Sequence, residues 1–201
     1  MPTKRAIWCL LSLCLLFLPT GCQSELTPEQ VSQSLLSRLE QVESYQIQFL
    51  LQSSGQSLQV VQWYRAPDCV RTELYEQDEP TYRFIGDGKR LLVWHLPSGY
   101  RQQVELGPDS QLFCSPLLLD CCRLASTADW ELEADSGLYA SSFIWLATDG
   151  AERTGRLWVE PASWLPTRFE LVFRQREPLT IQVQSLTINQ SLSDNLFSLD
   201  I

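Results

Sequence analysis

The stretch LTPEQVSQSLLSRLEQVESYQIQFLLQ, residues 26–52, decides the fold, because its hydrophobic period changes from helical to extended along its length. Thr27, Pro28 and Gln30 match the start of a capped helix. Apolar residues then recur at steps of four, four and three on one helical face, namely Val31, Leu35, Leu39 and Val42. From Tyr45 the apolar residues alternate with glutamines, which is the period of a strand. The stretch predicts an amphipathic helix that covers an apolar surface, followed by a strand.

Period-two alternation continues through most of the remaining chain and predicts further strands joined by short turns. The predicted segments are LQVVQWYR (58–65), CVRTELYE (69–76), the hairpin TYRFIGDGKRLLVWHL (81–96), YRQQVEL (100–106), DWELEAD (129–135), SSFIWLAT (141–148), RTGRLWVE (153–160), WLPTRFELVFRQ (164–175) and LTIQVQSLTI (179–188). One segment without alternation, residues 110–126, predicts one or two short helices or an apolar loop. A single antiparallel sheet of about eleven strands must curl. The predicted fold class is therefore α+β: a strongly curved antiparallel sheet, or half-open barrel, with a long N-terminal helix and short central helices covering the concave side.

The N-terminus has the pattern of a secretory signal. Lys4 and Arg5 precede an apolar run, residues 6–18, which is shorter than the roughly 20 residues that a membrane span needs. Small residues and a cysteine follow in the stretch LLFLPTGCQS, residues 15–24, and Cys22 lies in a segment that resembles the lipobox of bacterial lipoproteins. We expect residues 1–21 to be a lipoprotein signal peptide and Cys22 to be a lipid anchor, placing the chain outside the cytoplasm on a membrane of the cell envelope. The alternative is a signal peptide with an incidental cysteine.

Composition limits the partners of the remaining chain. Residues 22–201 are long enough for one domain with a core and short for two. Loss of Lys4 and Arg5 moves the formal charge from -9 to -11. A chain this acidic is not expected to bind nucleic acid, which requires Lys and Arg to neutralise phosphates. We also do not expect the chain to be attracted to anionic lipid, because both carry negative charge.

Cysteine and histidine usage argues against a metal centre. Beyond the anchor the cysteines are Cys69, Cys114, Cys121 and Cys122. Outside the cytoplasm they allow disulfides in several pairings, with buried thiols as the alternative. We expect neither a metal nor another cofactor, because the cysteine spacing is not that of a zinc site and His95 is isolated. We do not expect an enzyme, since the chain lacks the nucleophile-elbow, phosphate-loop and metalloprotease motifs.

The order of several motifs resembles the LolA/LolB-like family of periplasmic lipoprotein carriers and receptors. The motifs are VVQWYRAPDCVRTEL (60–74), FIGDGKRLLVWHLPSGYRQQVEL (84–106), SPLLLDCCRLA (115–125), GRLWVEPASWLPTRFEL (155–171) and DNLFSLDI (194–201). The resemblance implies that residues 22–201 form a half-open barrel whose cavity takes acyl chains beneath a lid of helices. An anchored chain is more similar to the receptor branch or to the germination lipoproteins of spore-forming bacteria.

Large apolar side chains on the predicted strands are the candidates to line such a cavity. They are Phe49, Trp63, Phe84, Leu92, Trp94, Phe143, Trp145, Trp158 and Phe169. Leu118 belongs to a run of leucines that we expect to plug the barrel mouth. The resemblance places Arg71 near that mouth, where its guanidinium could donate hydrogen bonds to carbonyls of the helical lid or to a lipid ester. For the apolar side chains the alternative is an ordinary packed core, and for Arg71 the alternative is a solvated side chain on a strand.

Two functions remain from these observations. The first is a membrane-anchored protein that binds acyl chains of lipid or lipoprotein in the half-barrel. The second is a scaffold or regulatory lipoprotein that binds and stabilises a partner protein of the cell envelope, as germination lipoproteins do in their family.

Overall fold

The structure, a computed structural model, describes residues 26–106, 116–126, 129–146, 152–172 and 177–199. The predicted signal peptide, residues 1–21, and the predicted anchor, Cys22, lie outside the described residues.

Two α-helices are present in the described part of the chain. Helix α1, Pro28–Glu40, begins with the predicted capping box. Its Thr27 backbone N–H donates to Gln30 Oε1 at 2.9 Å, and the Gln30 N–H donates to Thr27 Oγ1 at 3.4 Å. These bonds satisfy donors that the first turn of a helix leaves without partners. Helix α2, Leu117–Ala125, lies within the segment for which short helices were predicted.

The strands form one open antiparallel sheet. They are β1 (Ser44–Ser53), β2 (Gln56–Arg65), β3 (Cys69–Glu76), β4 (Glu79–Gly86), β5 (Arg90–His95), β6 (Tyr100–Glu105), β7 (Trp130–Glu133), β8 (Leu138–Leu146), β9 (Glu152–Glu160), β10 (Leu165–Val172) and β11 (Leu179–Ile188). Their order is β6-β5-β4-β3-β2-β1-β11-β10-β9-β8-β7. Two meanders therefore meet where β1 pairs with β11, and β6 and β7 are the edges. The predicted α+β half-barrel of about eleven strands is confirmed.

One face of the sheet carries the core. Residues paired across antiparallel strands point to the same face, so rows of side chains can be followed from strand to strand. One such row starts at Ser141 in β8 and continues through Leu157 and Phe169 to Ile181 in β11. The last three are almost completely buried in the core. We call this the concave face.

The two helices cover part of the concave face. Helix α1 contacts α2 and β7, while α2 also contacts β8 and β9. Val31 and Leu35 of α1 are buried in the core, as their helical spacing predicts. Towards β6 the same face becomes exposed at Tyr82 and Tyr100. Within the described residues, neither helix has the length and apolar character needed to cross a bilayer.

Candidate functional site

Five of the predicted lining residues lie on the concave face. Phe49, Phe143, Phe169 and Leu118 belong to one buried cluster. Phe84 lies on the same face in β4, opposite Thr72 of β3, and is half-buried. Whether these five residues line a lipid cavity stays a prediction.

Five other predicted lining residues lie on the opposite, convex face. They are Trp63, Arg71, Leu92, Trp94 and Trp158. The reason is the two-residue period: Trp63 alternates with the concave residues Gln62 and Tyr64, so it points the other way. Trp145 lies in β8, and its side chain is outside the described residues.

Arginines cover the convex-face tryptophans. The guanidinium carbons of Arg83 and Arg101 lie 4.9 and 3.9 Å from the ring centroid of Trp94. Arg156 and Arg168 lie over the Trp158 ring in the same way, at 5.1 and 4.5 Å. A cation placed over an indole face is attracted by the ring and also shields it from water. Arginines of the same sheet therefore cover both rings, leaving Trp158 buried and Trp94 half-buried.

A buried carboxylate organises the convex face. Glu73 Oε1 accepts hydrogen bonds from Arg71 Nε at 3.1 Å and Arg83 Nε at 2.6 Å, and Oε2 accepts from Tyr75 OH at 2.7 Å. Burial by itself raises the pKa of Glu73, but the bonds from Arg71, Tyr75 and Arg83 and the charge of Arg71 outweigh it, so the pKa lies below its usual value. Burial, the bond to Glu73 and its charge raise the pKa of Tyr75 to about 12.

Arg71 also fixes the C-terminal segment to the convex face. Its Nη1 donates to the carbonyl oxygen of Leu196 at 3.3 Å, in the 3-10 helix Asp194–Phe197. Arg65 pairs with Asp194 in the same helix and lies 4.9 Å from the ring centroid of Phe197. Arg71 therefore bonds a helical carbonyl, but that helix is the C-terminal one and lies on the face opposite the core.

The lowered pKa of Glu73 predicts acid sensitivity. An ionised Glu73 stabilises the folded state above the unfolded pKa, and this contribution is lost as pH falls through the lower folded pKa. We expect the free energy of unfolding to fall on acidification below about pH 4.5. Urea unfolding at several pH values, compared with Glu73→Gln, measures this. An equal pH dependence in wild type and variant would contradict the assignment to Glu73.

A cleft opens at the β7 edge of the sheet. Strand β7 pairs with β8 only from Leu138 to Ser141, whereas β8 continues to Leu146. The cleft has a volume of about 610 Å³ and lies at this step. It is lined by Leu124, Asp129, Trp130, Glu131, Ala140, Ser142, Phe143 and Ile144. Among them, Trp130 and Phe143 belong to the buried cluster, so the cleft connects the core with solvent.

Large apolar side chains remain exposed at this cleft. Ile144 of β8 is 68% exposed and Leu124 of α2 is 38% exposed. Sequence reasoning had not singled out Trp130, Leu124 or Ile144. For Trp130 the only available signal was its alternation with Leu132 in the segment DWELEAD.

The structure leaves fewer of the predicted disulfide pairings open. Cys69 and Cys122 are thiols in the structure. Cys114 and the side chain of Cys121 lie outside the described residues, so a disulfide between these two stays a prediction. Within the described residues, no group of three His, Cys, Asp or Glu side chains is arranged to hold a metal ion.

Comparison by sequence finds no matching protein-family model and no matching curated protein. Solved structures do match. An uncharacterized conserved protein from Thermus thermophilus has a TM-score of 0.53 at 13% identity, covering 84% of this chain and 93% of that one. A LolA superfamily protein from Nitrosomonas europaea has 0.47 at 11%, covering 86% and 98%. Lipoprotein LppX of Mycobacterium tuberculosis has 0.47 at 12%, covering 82% and 96%.

At these identities the comparison concerns the fold alone. The open half-barrel of eleven antiparallel strands, with helices on its concave face, is the architecture that the LolA/LolB resemblance implied. The half-barrel architecture predicted from the sequence is confirmed, and it is shared with the Thermus thermophilus protein.

Proposed function

We propose that this protein is a lipid-anchored protein of the cell envelope that binds acyl chains of lipid or lipoprotein against the concave face of its half-barrel. The observation that carries the proposal is the cleft beside α2, because it leads from exposed Leu124 and Ile144 to the buried side chains of Trp130 and Phe143.

Acyl chains match the surface that the cleft reaches. An acyl chain gains about 0.8 kcal/mol for each methylene removed from water and needs almost no hydrogen bonds along its length. Trp130 and Phe143 at the cleft belong to the buried core, so an acyl chain there lies against the edge of an apolar interior.

Charge at the cleft favours a ligand without a strongly anionic head group. Asp129 and Glu131 line the cleft. Arg156 pairs with Glu131 and also reaches Glu133 at 2.9 Å, so one cation there faces several carboxylates. Together with the formal charge of -9 for the whole chain, this arrangement repels anions.

The predicted lipid anchor at Cys22 accounts for the proposed position of the protein at a membrane. Acylation there would keep the cleft near membrane lipid, and two or more acyl chains are needed for stable attachment. Mass spectrometry of the intact protein from membranes tests this directly. The proposal expects a mature chain that begins at an acylated Cys22, and a mature N-terminus without acyl groups would contradict it.

Replacing Leu124 with aspartate is expected to weaken acyl binding by about tenfold or more, because a carboxylate at the cleft loses apolar contact and adds repulsion. The measurement is binding of a fluorescently tagged diacylglycerol in mild detergent. Leu36→Asp is the matched control, since Leu36 is an equally exposed leucine on α1 that does not line the cleft.

Two results would overturn the proposal. One is equal diacylglycerol affinity in Leu124→Asp and wild type. The other is protein purified from membranes that carries no non-covalently bound acyl species and instead co-purifies with one envelope protein at equal amount. The second result would favour the scaffold function predicted as the alternative.

A further inference from the structure

We infer that Trp130 and Ser141 bind the carbonyl oxygen of an acyl ester. Among the described residues, Trp130 Nε1 and Ser141 Oγ are buried polar atoms without a hydrogen-bond partner. The two residues are 6% and 1% exposed. Buried donors are nearly always paired in folded proteins, because leaving one unpaired costs free energy. Two such groups on paired residues leave donors open to a bound ligand within the described part of the chain.

The two residues are placed together by the sheet. Trp130 of β7 is the direct cross-strand partner of Ser141 of β8, and Ser141 is in turn opposite Leu157 of β9. Both side chains therefore lie on the concave face. Helix α1 contacts β7 and helix α2 contacts β8, so the pair lies beneath the helices. Trp130 also lines the cleft, which gives a ligand a path to this pair.

The chemistry of the pair selects an uncharged acceptor. An indole N–H only donates, and a serine hydroxyl donates as well as accepts, so both can bond one carbonyl oxygen. The neighbouring side chains on this face are Tyr139, Phe143 and Leu157, none of which is a cation. None of these three side chains could neutralise a buried carboxylate or phosphate, whereas an ester carbonyl needs only hydrogen bonds.

Gly155 shapes the same part of the face. A Cβ built at Gly155 would lie 2.5 Å from Cζ of Phe143, so the Phe143 ring lies directly over the glycine backbone. This close approach places the ring of Phe143 beside the row that contains Ser141. An acyl chain whose ester is bound by Trp130 and Ser141 would contact this ring at its first methylenes.

The inference rests on the proposed function and deepens it by naming the ligand as an acyl ester. The test compares competition by a diacylglycerol, whose chains are ester-linked, with competition by the dialkylglycerol of equal chain length, which lacks the carbonyls. Wild type is expected to prefer the ester by about tenfold, the effect of one or two buried hydrogen bonds. Trp130→Phe combined with Ser141→Ala is expected to remove the preference while keeping affinity for the ether.

Matched controls come from the convex face. Ser185→Ala removes a hydroxyl from β11 at an exposed residue that pairs with Gln48 and does not line the cleft, and Trp158→Phe removes an indole N–H from the same convex face. Both controls should retain the ester preference. Because Ser141 Oγ has no partner among the described residues, Ser141→Ala should leave urea stability nearly unchanged without ligand, whereas Trp130→Phe removes part of a buried ring and should lower it.

The outcomes separate this inference from the proposed function. A protein that binds neither lipid contradicts both. A wild type that binds both lipids equally, or a double variant that keeps the ester preference, contradicts only the inference. Competition by a diacylated lipopeptide and by phosphatidylethanolamine then distinguishes lipoprotein from membrane lipid as the source of the ester. The double variant must lower the affinity for whichever of the two binds to wild type.

Discussion

Glu73→Ala is expected to lower the free energy of unfolding by about 3–5 kcal/mol, because removing one partner of a buried ion pair leaves the other charges uncompensated. The Glu73 side chain accepts from Arg71, Arg83 and Tyr75 while almost fully buried. Without it, two arginines would face each other in a weakly hydrated site. Arg71 would also lose the acceptor that orients it towards Leu196, so the C-terminal segment should loosen at the same time.

Urea denaturation followed by circular dichroism measures this loss. Glu73→Gln should cost less than Glu73→Ala, because an amide oxygen still accepts one hydrogen bond. The matched control is Glu170→Ala on the same face, where Glu170 pairs with Arg168 at 3.2 Å in a more exposed site. Exposed ion pairs contribute about 1 kcal/mol or less. If Glu73→Ala costs no more than Glu170→Ala, the buried cluster does not stabilise the fold as argued.

Much of the fold follows from hydrophobic period alone. The change from helical to alternating spacing after Val42 predicts both α1 and β1, and the capping box fixes where α1 begins. Short turns between alternating segments favour neighbouring antiparallel strands, which is how both meanders are built. The pairing of β1 with β11 joins strands from the two ends of the chain, and no local pattern identifies it.

Which face of a strand points inward was harder to predict. In β5, RLLVWH, the set Leu91 and Val93 and the set Leu92 and Trp94 are both apolar, so alternation does not choose between them. The structure places Trp94 on the convex face, where arginines from β4 and β6 cover its ring. Those contacts form only after the strands pair. A sequence read strand by strand therefore assigns such tryptophans to the cavity.

The cleft was also beyond prediction, since it depends on relative strand lengths. It exists because β7 is short and β8 continues past it, leaving Ile144 exposed at the edge of the sheet. The alternating segments in the sequence do not indicate that β7 would pair with only part of β8. Nothing in the sequence separates Trp130 from the other strand tryptophans, because the position of its buried N–H beside Ser141 depends on the pairing of β7 with β8.

Phe169→Ala is expected to lower the free energy of unfolding by about 3–5 kcal/mol, the usual loss for removing a buried phenylalanine ring. Phe169 is 2% exposed, and its cross-strand partners Leu157 and Ile181 are buried as well. The loss combines lost burial with the cavity that remains. Val172→Ala is the control, because Val172 lies on the same strand with its side chain partly exposed, and it should change stability by about 0.5 kcal/mol or less.

The size of this loss bears on how acyl chains are bound. A loss near 4 kcal/mol without lipid would mean that the centre of the concave face is a packed core that folds without ligand. Acyl chains would then occupy the cleft beside it. A loss below about 1 kcal/mol would contradict that view, because it would mean that the ring has few contacts until a lipid arrives. Repeating the measurement with diacylglycerol distinguishes the two, since a ligand that fills the space of the missing ring restores stability in Phe169→Ala more than in wild type.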